Sequence, residues 1–478
     1  MATRKKLAII GNGMGTCRLL DELAQRGGTL KYEISVFGEE QGGAYNRIML
    51  GKVLAGEAPD SIVTKTPEWY DQNNIRLIDR SRVTKLDTLH KRVETEDGKT
   101  RGYDVAVLAT GSQPLVPPLH GLLDENGELK RGAFVYRTIG DCLRIRTHAR
   151  AGDAAVVVGG GLLGLEAAKV LADLGLHVTV VHVAQTLMNA QLDAIGGDML
   201  TRQIERTGIF VKLGRTVEAV YGEDSVQGVF LDDGTRLSAD LIVLACGVRP
   251  RIDVARASGL PVNRAIIVND SLATEVASVY AFGECAEHNG KTYGIVAPVW
   301  EQAATLADVL TGQNLGVRYK GSKLYTRLKV AGLEVASMGC SEPERPDDDV
   351  FQILEERKST YRKIIVREGR LIGAILVGNA SAAGTLVQLF DRGDLMPEDP
   401  LEALVNAPAA SSGERVVCNC NKVTDVQIKE CIAGGCDSIE GIGAATRAGT
   451  GCGSCKGELA QLLTRHAKKT SLPLASAS

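Results

Sequence analysis

Residues 153–182 read DAAVVVGGGLLGLEAAKVLADLGLHVTVVH. The apolar run Ala154–Val158 is a buried strand. A glycine-rich turn follows, and then an amphipathic helix from about Leu162 to Leu174. A second strand covers Val178–Val181. Gly159, Gly161 and Gly164 stand in the G-x-G-x-x-G spacing. The first glycine makes the tight turn, the second lets backbone approach a pyrophosphate, and the third lets helix and strand close together. The free N–H groups of the helix then face the anion. This βαβ unit predicts a dinucleotide-binding domain.

The same pattern occurs about 150 residues earlier, as KKLAIIGNGMGTCRLLDELAQRG over 5–27. Leu7–Ile10 is the strand, and Gly11 and Gly13 make the turn. The third position holds Thr16 rather than glycine, and Gly15, one residue early, relieves the packing. One glycine fingerprint is weak evidence, but two copies in matching contexts predict two nested dinucleotide folds. Such a pair suggests a flavin enzyme that takes hydride from a nicotinamide cofactor. The residue closing the second strand reports on the adenosine ribose. Glu39 and Glu40 fill that place in the first unit. In the second it is His182, neither a carboxylate nor an arginine, which leaves NADH or NADPH open.

Three further stretches extend the pattern. VAVLATGSQP (105–114) is a buried strand ending at Thr110 and Gly111. LIVLACGVRP (241–250) repeats it after the second unit and carries Gly247. ASVYAFGECAEHNGKTYGIVAPVWEQA (277–303) has a strand ending at Gly283 and Glu284, with a helix starting near Pro298.

The chain has 478 residues and a formal net charge of -3, which advertises neither nucleic acid nor an anionic membrane as a partner. The basic start, MATRKKLAIIGNGMG, has too short an apolar run for a signal core, and no run is long enough to span a membrane. A cytoplasmic protein with mostly reduced cysteines is therefore expected. Cys17, Cys142, Cys246, Cys285 and Cys340 are scattered and read as small buried hydrophobes. The expected organisation is discontinuous. Residues 1–118 and 250–320 form one dinucleotide domain, 119–249 the other, and 321–405 a small α+β domain. A linker (406–415), a cysteine-bearing module (416–465) and a tail (466–478) follow.

That module carries Cys418 and Cys420 as C-x-C and Cys452 and Cys455 as C-x-x-C. The sequence also predicts three short helices there, in DVQIKECIAGG, SIEGIGAATRAG and KGELAQLL. Cys431 falls inside the first, and it and Cys436 read as non-ligands. A disulfide pair clashes with the compartment, and a redox dithiol needs only one pair. Four thiolates suit structural zinc, although C-x-C is uncommon in zinc ribbons and no hairpin is evident. They equally suit a [2Fe–2S] cluster. A flavin holding two electrons needs a one-electron exit. QGGAYNRIMLGKVLAG (41–56) has no cysteine, so a thiol relay beside the flavin is not expected.

VFGEE, AYNRIMLGKVLAG, GGGLLGLEAAKVLADLGL, LMNAQLD and FGECAEHNGKTYGIVAPVWEQA together resemble the two-dinucleotide-domain flavoprotein reductases. More narrowly, they resemble the N-terminal half of the large subunit of NAD(P)H-dependent assimilatory nitrite reductases. TRAGTGCGSC is similar to the bacterioferritin-associated-ferredoxin-like [2Fe–2S] domain. The resemblance implies an α/β fold of two nested Rossmann-like domains, a small α+β domain and a small helical [2Fe–2S] domain. It implies FAD at Gly11, Gly13, Gly15, Thr16, Glu39, Arg47, Lys52, Thr110, Gly111 and Glu284. It implies NAD(P)H at Gly159, Gly161, Gly164, Glu166, His182 and Gly247. Lys52 and Glu166 would lie at the reacting rings, and Cys418, Cys420, Cys452 and Cys455 would hold the cluster. Many relatives have Ser where this chain has Gly51, and the wider group usually has Asp where this chain has Glu284. Lys52 also reads as an ordinary salt-bridged lysine. The implied function is electron transfer from NAD(P)H through FAD and [2Fe–2S] to a partner redox protein. The implied partner is the catalytic part of a nitrate or nitrite reductase, with the oligomeric state left open. The sirohaem domain of nitrite reductase is not in this sequence, so nitrite reduction by this chain alone is not expected. A dehydrogenase of an amine or amino-acid-like substrate, with FAD and an iron–sulfur module, is the alternative.

Overall fold

The computed structural model describes residues 4–314, 316–330, 332–405, 416–418, 420–451, 453 and 455–470. The predicted linker 406–415, Cys452 and residues 471–478 lie outside the described residues. The chain forms two compact units. One runs up to Ala184 and resumes over Gly208–Ser322. The other takes Gln185–Thr207 and the chain from Lys323 onward.

The first unit holds two five-stranded parallel sheets. In one the order is Val279–Ala281, Val105–Leu108, Lys5–Ile10, Tyr32–Phe37 and Ile75–Ile78. In the other it is Ala133–Val135, Leu241–Leu244, Ala154–Val158, His177–His182 and Phe210–Leu213. Each glycine loop thus leaves the central strand of its sheet. Val105–Leu108 and Leu241–Leu244 are buried at every position. Continuous apolar runs of this kind are what a parallel sheet covered on both faces requires. In the first sheet Ile10 lies level with Phe37 and Leu108, so three strands end together at the loop. The helix Met14–Gln25 turns Leu19, Leu20 and Leu23 into this core, against Ile9, Val36 and Val107. A two-stranded antiparallel ribbon, Ser112–Pro114 with Val248–Pro250, joins the chain after the two matching LATG and LACG turns.

The second unit contains a five-stranded antiparallel sheet in the order Tyr325–Val330, Leu333–Gly339, Arg370–Gly378, Thr360–Arg367 and Asp349–Glu355. Residues 325–339 and 361–378 each form a hairpin within this sheet. The helix Ala383–Arg392 covers one face of the sheet with Leu386, Val387 and Phe390. The helix Ala194–Glu205 also belongs to this unit, although its sequence lies inside the expected nicotinamide domain.

The cysteine module is not wholly helical. Val416–Cys418 pairs with Val423–Thr424 as a short hairpin, which corrects the expectation that no hairpin is present. Strands of three and two residues leave no alternation to read in a sequence. Helices Asp425–Ala433, Ile439–Thr446 and Lys456–Thr470 follow, the last reaching into the expected tail. No helix among the described residues is long and apolar enough to cross a membrane.

Candidate active site and cluster module

The two glycine loops are near copies in space. A Cβ on Gly11 would lie 2.2 Å from the Ala109 carbonyl oxygen, and one on Gly159 would lie 2.2 Å from that of Ala245. Both residues have positive φ, 112° and 122°. A Cβ on Gly13 or Gly161 would instead meet nothing within 4 Å. Each loop therefore has one glycine forced by neighbouring backbone and one facing open space. The helices that follow, Met14–Gln25 and Leu162–Asp173, start at Gly13 and Gly161 with no side-chain cap and no acidic residue in the first turn. Uncapped N–H groups behind a bare glycine make a phosphate site, so the residues fit a bound dinucleotide pyrophosphate in both loops.

The third loop position differs between the copies. A Cβ on Gly164 would lie 2.0 Å from the Gly159 carbonyl oxygen. Thr16 occupies the matching place, buried, and its hydroxyl donates to the Gly11 carbonyl at 2.7 Å. Gly15 allows close packing, since a Cβ there would lie 3.1 Å from Val299 and 3.2 Å from Phe282.

Around the first loop, Glu39 pairs with Arg251 and lies 4.0 Å from Arg82. Glu40 takes Arg47 and the Tyr45 hydroxyl, each at 2.7 Å. The other end of the Arg47 guanidinium donates to the Arg137 carbonyl at 3.0 Å. Thr110 donates through its hydroxyl to the Arg251 carbonyl at 2.8 Å, and Gly111 takes φ 66°. Glu284 sits in the 3-10 turn Gly283–Cys285, whose first N–H donates to buried Gln302 at 2.7 Å. The Glu284 carboxylate accepts from the Ser112 hydroxyl and from Arg137, which also donates to Ser112 at 2.6 Å. Sequence reasoning missed Arg137, Ser112 and Gln302. Their partners lie 19 to 172 residues away in sequence and follow no local spacing.

Lys52 is 45% exposed and pairs with Glu57 at 3.1 Å. Its helix, Leu50–Ala55, packs against Ile139–His148 and against the helix Leu162–Asp173 that carries Glu166. Glu166 sits one turn into that helix. Burial pushes its carboxyl up to about 7. Between these helices the Tyr136 hydroxyl is fully buried and has no hydrogen-bond partner among the described residues. It lies 3.8 Å from where a Gly51 Cβ would stand. His182 accepts the Gly160 N–H on Nδ1 at 3.1 Å, so it holds the second loop from the strand end. Gly247 has φ 101° and accepts the Leu115 N–H at 2.9 Å.

In the C-terminal module, Cys418 and Cys420 lie with their sulfurs 3.7 Å apart, and Cys418 and Cys455 are buried in the small core. Hydrogen bonds from Cys420 and Cys455 hold the Cys418 thiol far below the usual thiol range. Asn421 donates to the Arg447 carbonyl at 2.7 Å and so ties the C-x-C turn to the loop before the C-x-x-C. Cys420 and Cys455 both hydrogen-bond to Cys418, and thiols are the donors an iron–sulfur cluster takes. The fourth predicted ligand, Cys452, is outside the described residues, and among the described ones no three candidate ligands stand close enough to hold a metal ion. The other cysteines fall less neatly into the expected class of small buried hydrophobes. Cys17, Cys142 and Cys285 are buried, while Cys246 and Cys340 are only half-buried. Cys431 and Cys436 are joined by a disulfide, an exception to the expectation of mostly reduced thiols.

Comparison with known proteins follows this division. Residues 5–305 match the pyridine nucleotide-disulphide oxidoreductase family. Residues 325–394 match the rubredoxin NAD+ reductase C-terminal domain, and 416–465 the BFD-like [2Fe–2S] binding domain. These modules carry FAD, NAD(P)H and a [2Fe–2S] cluster as their cofactors. The chain is 38% identical to a nitrite reductase [NAD(P)H] of Bacillus subtilis over 96% of its own length and 57% of that protein. It is 35% identical to the assimilatory nitrate reductase electron transfer subunit of the same organism, over 96% of its own length and 59% of that protein. It therefore spans little more than half the length of these curated relatives. The fold is similar to that in the covalent putidaredoxin reductase–putidaredoxin complex, with TM-score 0.75 and 23% identity, over 85% of this chain and 99% of that one.

Proposed function

Because the chain belongs to the pyridine nucleotide-disulphide oxidoreductase family, we propose that it is an NAD(P)H-dependent reductase that feeds single electrons to a partner redox protein. Its place would be the electron-transfer part of an assimilatory nitrate or nitrite reductase, in the cytoplasm. The observation that carries this reading is the alignment along 96% of the chain with two such proteins of Bacillus subtilis. When bound, FAD supplies hydride acceptance from the nicotinamide and the [2Fe–2S] cluster supplies one-electron transfer.

The protein's own part is placement and charge. The Gly11–Gly13 loop and its uncapped helix would hold the FAD pyrophosphate, with Glu39 at the adenosine ribose. Arg47, Thr110, Gly111 and Glu284 would line the rest of the flavin, and Arg137 would hold Glu284 in place. The Gly159–Gly161 loop would hold the nicotinamide cofactor, with His182 at the ribose edge. Lys52 and Glu166 would stand nearest the reacting rings. Cys418, Cys420, Cys452 and Cys455 would ligate the cluster. The stretch 41–56 has no cysteine, which supports an exit for electrons away from any thiol pair.

Anaerobic titration of the purified full chain with NADH and with NADPH, followed by electron paramagnetic resonance, tests the reading. Flavin bleaching followed by a reduced-cluster signal is expected. Cys418→Ser should keep NAD(P)H-to-dye activity and lose transfer to a nitrate or nitrite reductase partner. Undiminished transfer to the partner would refute the relay.

A further inference from the structure

The C-terminal module contains a second pair of cysteines that the cluster reading does not use. Cys431 lies in the last turns of the helix Asp425–Ala433, and Cys436 follows the Gly434–Gly435 turn that leads toward the helix Ile439–Thr446. The turn brings them together through backbone geometry. Gly435 takes φ 103°, and the Cys436 N–H donates to the Cys431 carbonyl at 3.0 Å. The two Cα atoms are 5.5 Å apart and the sulfurs are bonded, a separation normal for a disulfide.

This pair is accessible and yet packs into the same module as the ligand cysteines. Cys418 and Cys455 are buried, whereas Cys431 and Cys436, like Cys420, are half-buried, and they flank an exposed stretch, Ala433–Gly435. Small reagents can reach them. Both nevertheless pack against the same core as Cys418 and Cys455, beside Ile428, Ile442 and Leu459. That core is small, and a domain of this size gains little from apolar burial alone. A covalent tie between the helix Asp425–Ala433 and the turn leading into Ile439–Thr446 therefore matters to how firmly this core, which also holds Cys418 and Cys455, is kept together.

We propose that Cys431 and Cys436 form a reversible dithiol–disulfide site that braces the cluster module under oxidising conditions. Oxidation by a peroxide forms the S–S bond and breaks two S–H bonds. The first thiol attacks the peroxide and releases one water. The second then displaces another water from the sulfenic acid. The balance is two thiols and one hydrogen peroxide giving one disulfide and two waters. Reduction by a low-molecular-weight thiol returns both S–H groups by exchange and leaves that thiol as its own disulfide. Neither step draws on the reductase function proposed above.

The test uses the full chain carrying its cluster, equilibrated with graded ratios of reduced and oxidised glutathione or exposed to hydrogen peroxide. Free thiols are then alkylated and peptides weighed. The expected result is a 425–446 peptide that moves from doubly alkylated to bridged as the medium becomes oxidising. Iron release to a chelator, followed by absorbance, should be severalfold slower for the bridged protein than for the reduced one. Cys436→Ser, with Cys431→Ser as an independent second variant, should release iron at the reduced rate in either medium. Full alkylation of both residues in every medium would overturn the site. So would a bridge that excess glutathione leaves intact, or equal iron release from bridged and reduced protein.

Discussion

The Tyr361 hydroxyl donates to the Asp193 carboxylate at 2.6 Å, inside the second unit. The Lys363 ammonium donates to the same carboxylate at 3.0 Å and to Glu342 at 2.7 Å. Asp193 also caps the helix Ala194–Glu205 by accepting the Gly196 N–H. Asp193, Tyr361 and Lys363 are all buried. Burial disfavours the Lys363 ammonium, but its hydrogen bonds to Glu342 and Asp193 outweigh this and hold its pKa above the usual value. One carboxylate thus fastens a helix from the middle of the sequence to a sheet near its end. Removing Asp193 leaves the buried Lys363 ammonium with Glu342 as its one remaining carboxylate, takes away the 2.6 Å acceptor of Tyr361, and uncaps the helix. Asp193→Ala should therefore lower the stability of this unit by about 3–5 kcal/mol. Calorimetry of the full chain should show one transition moving down while the other stays.

Arg137 and Glu284 make the corresponding tie beside the expected flavin. Their side chains are 18% and 21% exposed, so the pair is screened in part. Arg137→Met should leave Glu284 with the Ser112 hydroxyl alone and weaken FAD retention. The cost expected is about 1–3 kcal/mol, the range for a lost hydrogen bond to a charged group. Flavin absorbance of the purified variant against dilution checks it.

The contrast between these residues and the glycine loops explains what the sequence could reveal. Strand, turn and helix at 154–173 follow from neighbouring residues, and the strand Ala154–Val158 has the predicted bounds. The helix Ala194–Glu205 is equally plain as a helix, but its apolar face does not say which sheet it covers. That is decided by Tyr361 and Lys363, 168 and 170 residues away. Arg137 is hidden for the same reason. The hairpin holding Cys418 was missed because it is too short to show a period. Thr16 departs from the fingerprint, yet its hydroxyl makes a bond to Gly11 that glycine cannot make.

The two glycines of the second loop should respond oppositely to alanine. At Gly159 the side chain would meet the Ala245 carbonyl at 2.2 Å in a positive-φ backbone. The dihedral alone costs about 1–2 kcal/mol, and the clash adds to it. Gly159→Ala should lower the melting temperature. Gly161→Ala has open space around it. It should melt like the wild type while binding NAD(P)H at least about tenfold more weakly, a loss of about 1.4 kcal/mol. Thermal scans beside a nucleotide titration separate the two.

Glu166 gives the pH dependence. Its folded carboxyl titrates at about 7, above the ordinary 4.5, because burial penalises the charged form. Between these values the folded chain keeps a proton that the unfolded chain has released. Stability contributed by this group is therefore full below about 4.5 and falls as pH rises through about 7. The shift is worth at most about 3 kcal/mol. Glu166→Gln removes the ionisation and should flatten this slope. The variant should gain on the wild type in melting temperature between pH 5 and pH 8, and parallel curves over that range would show that Glu166 is not held neutral by burial.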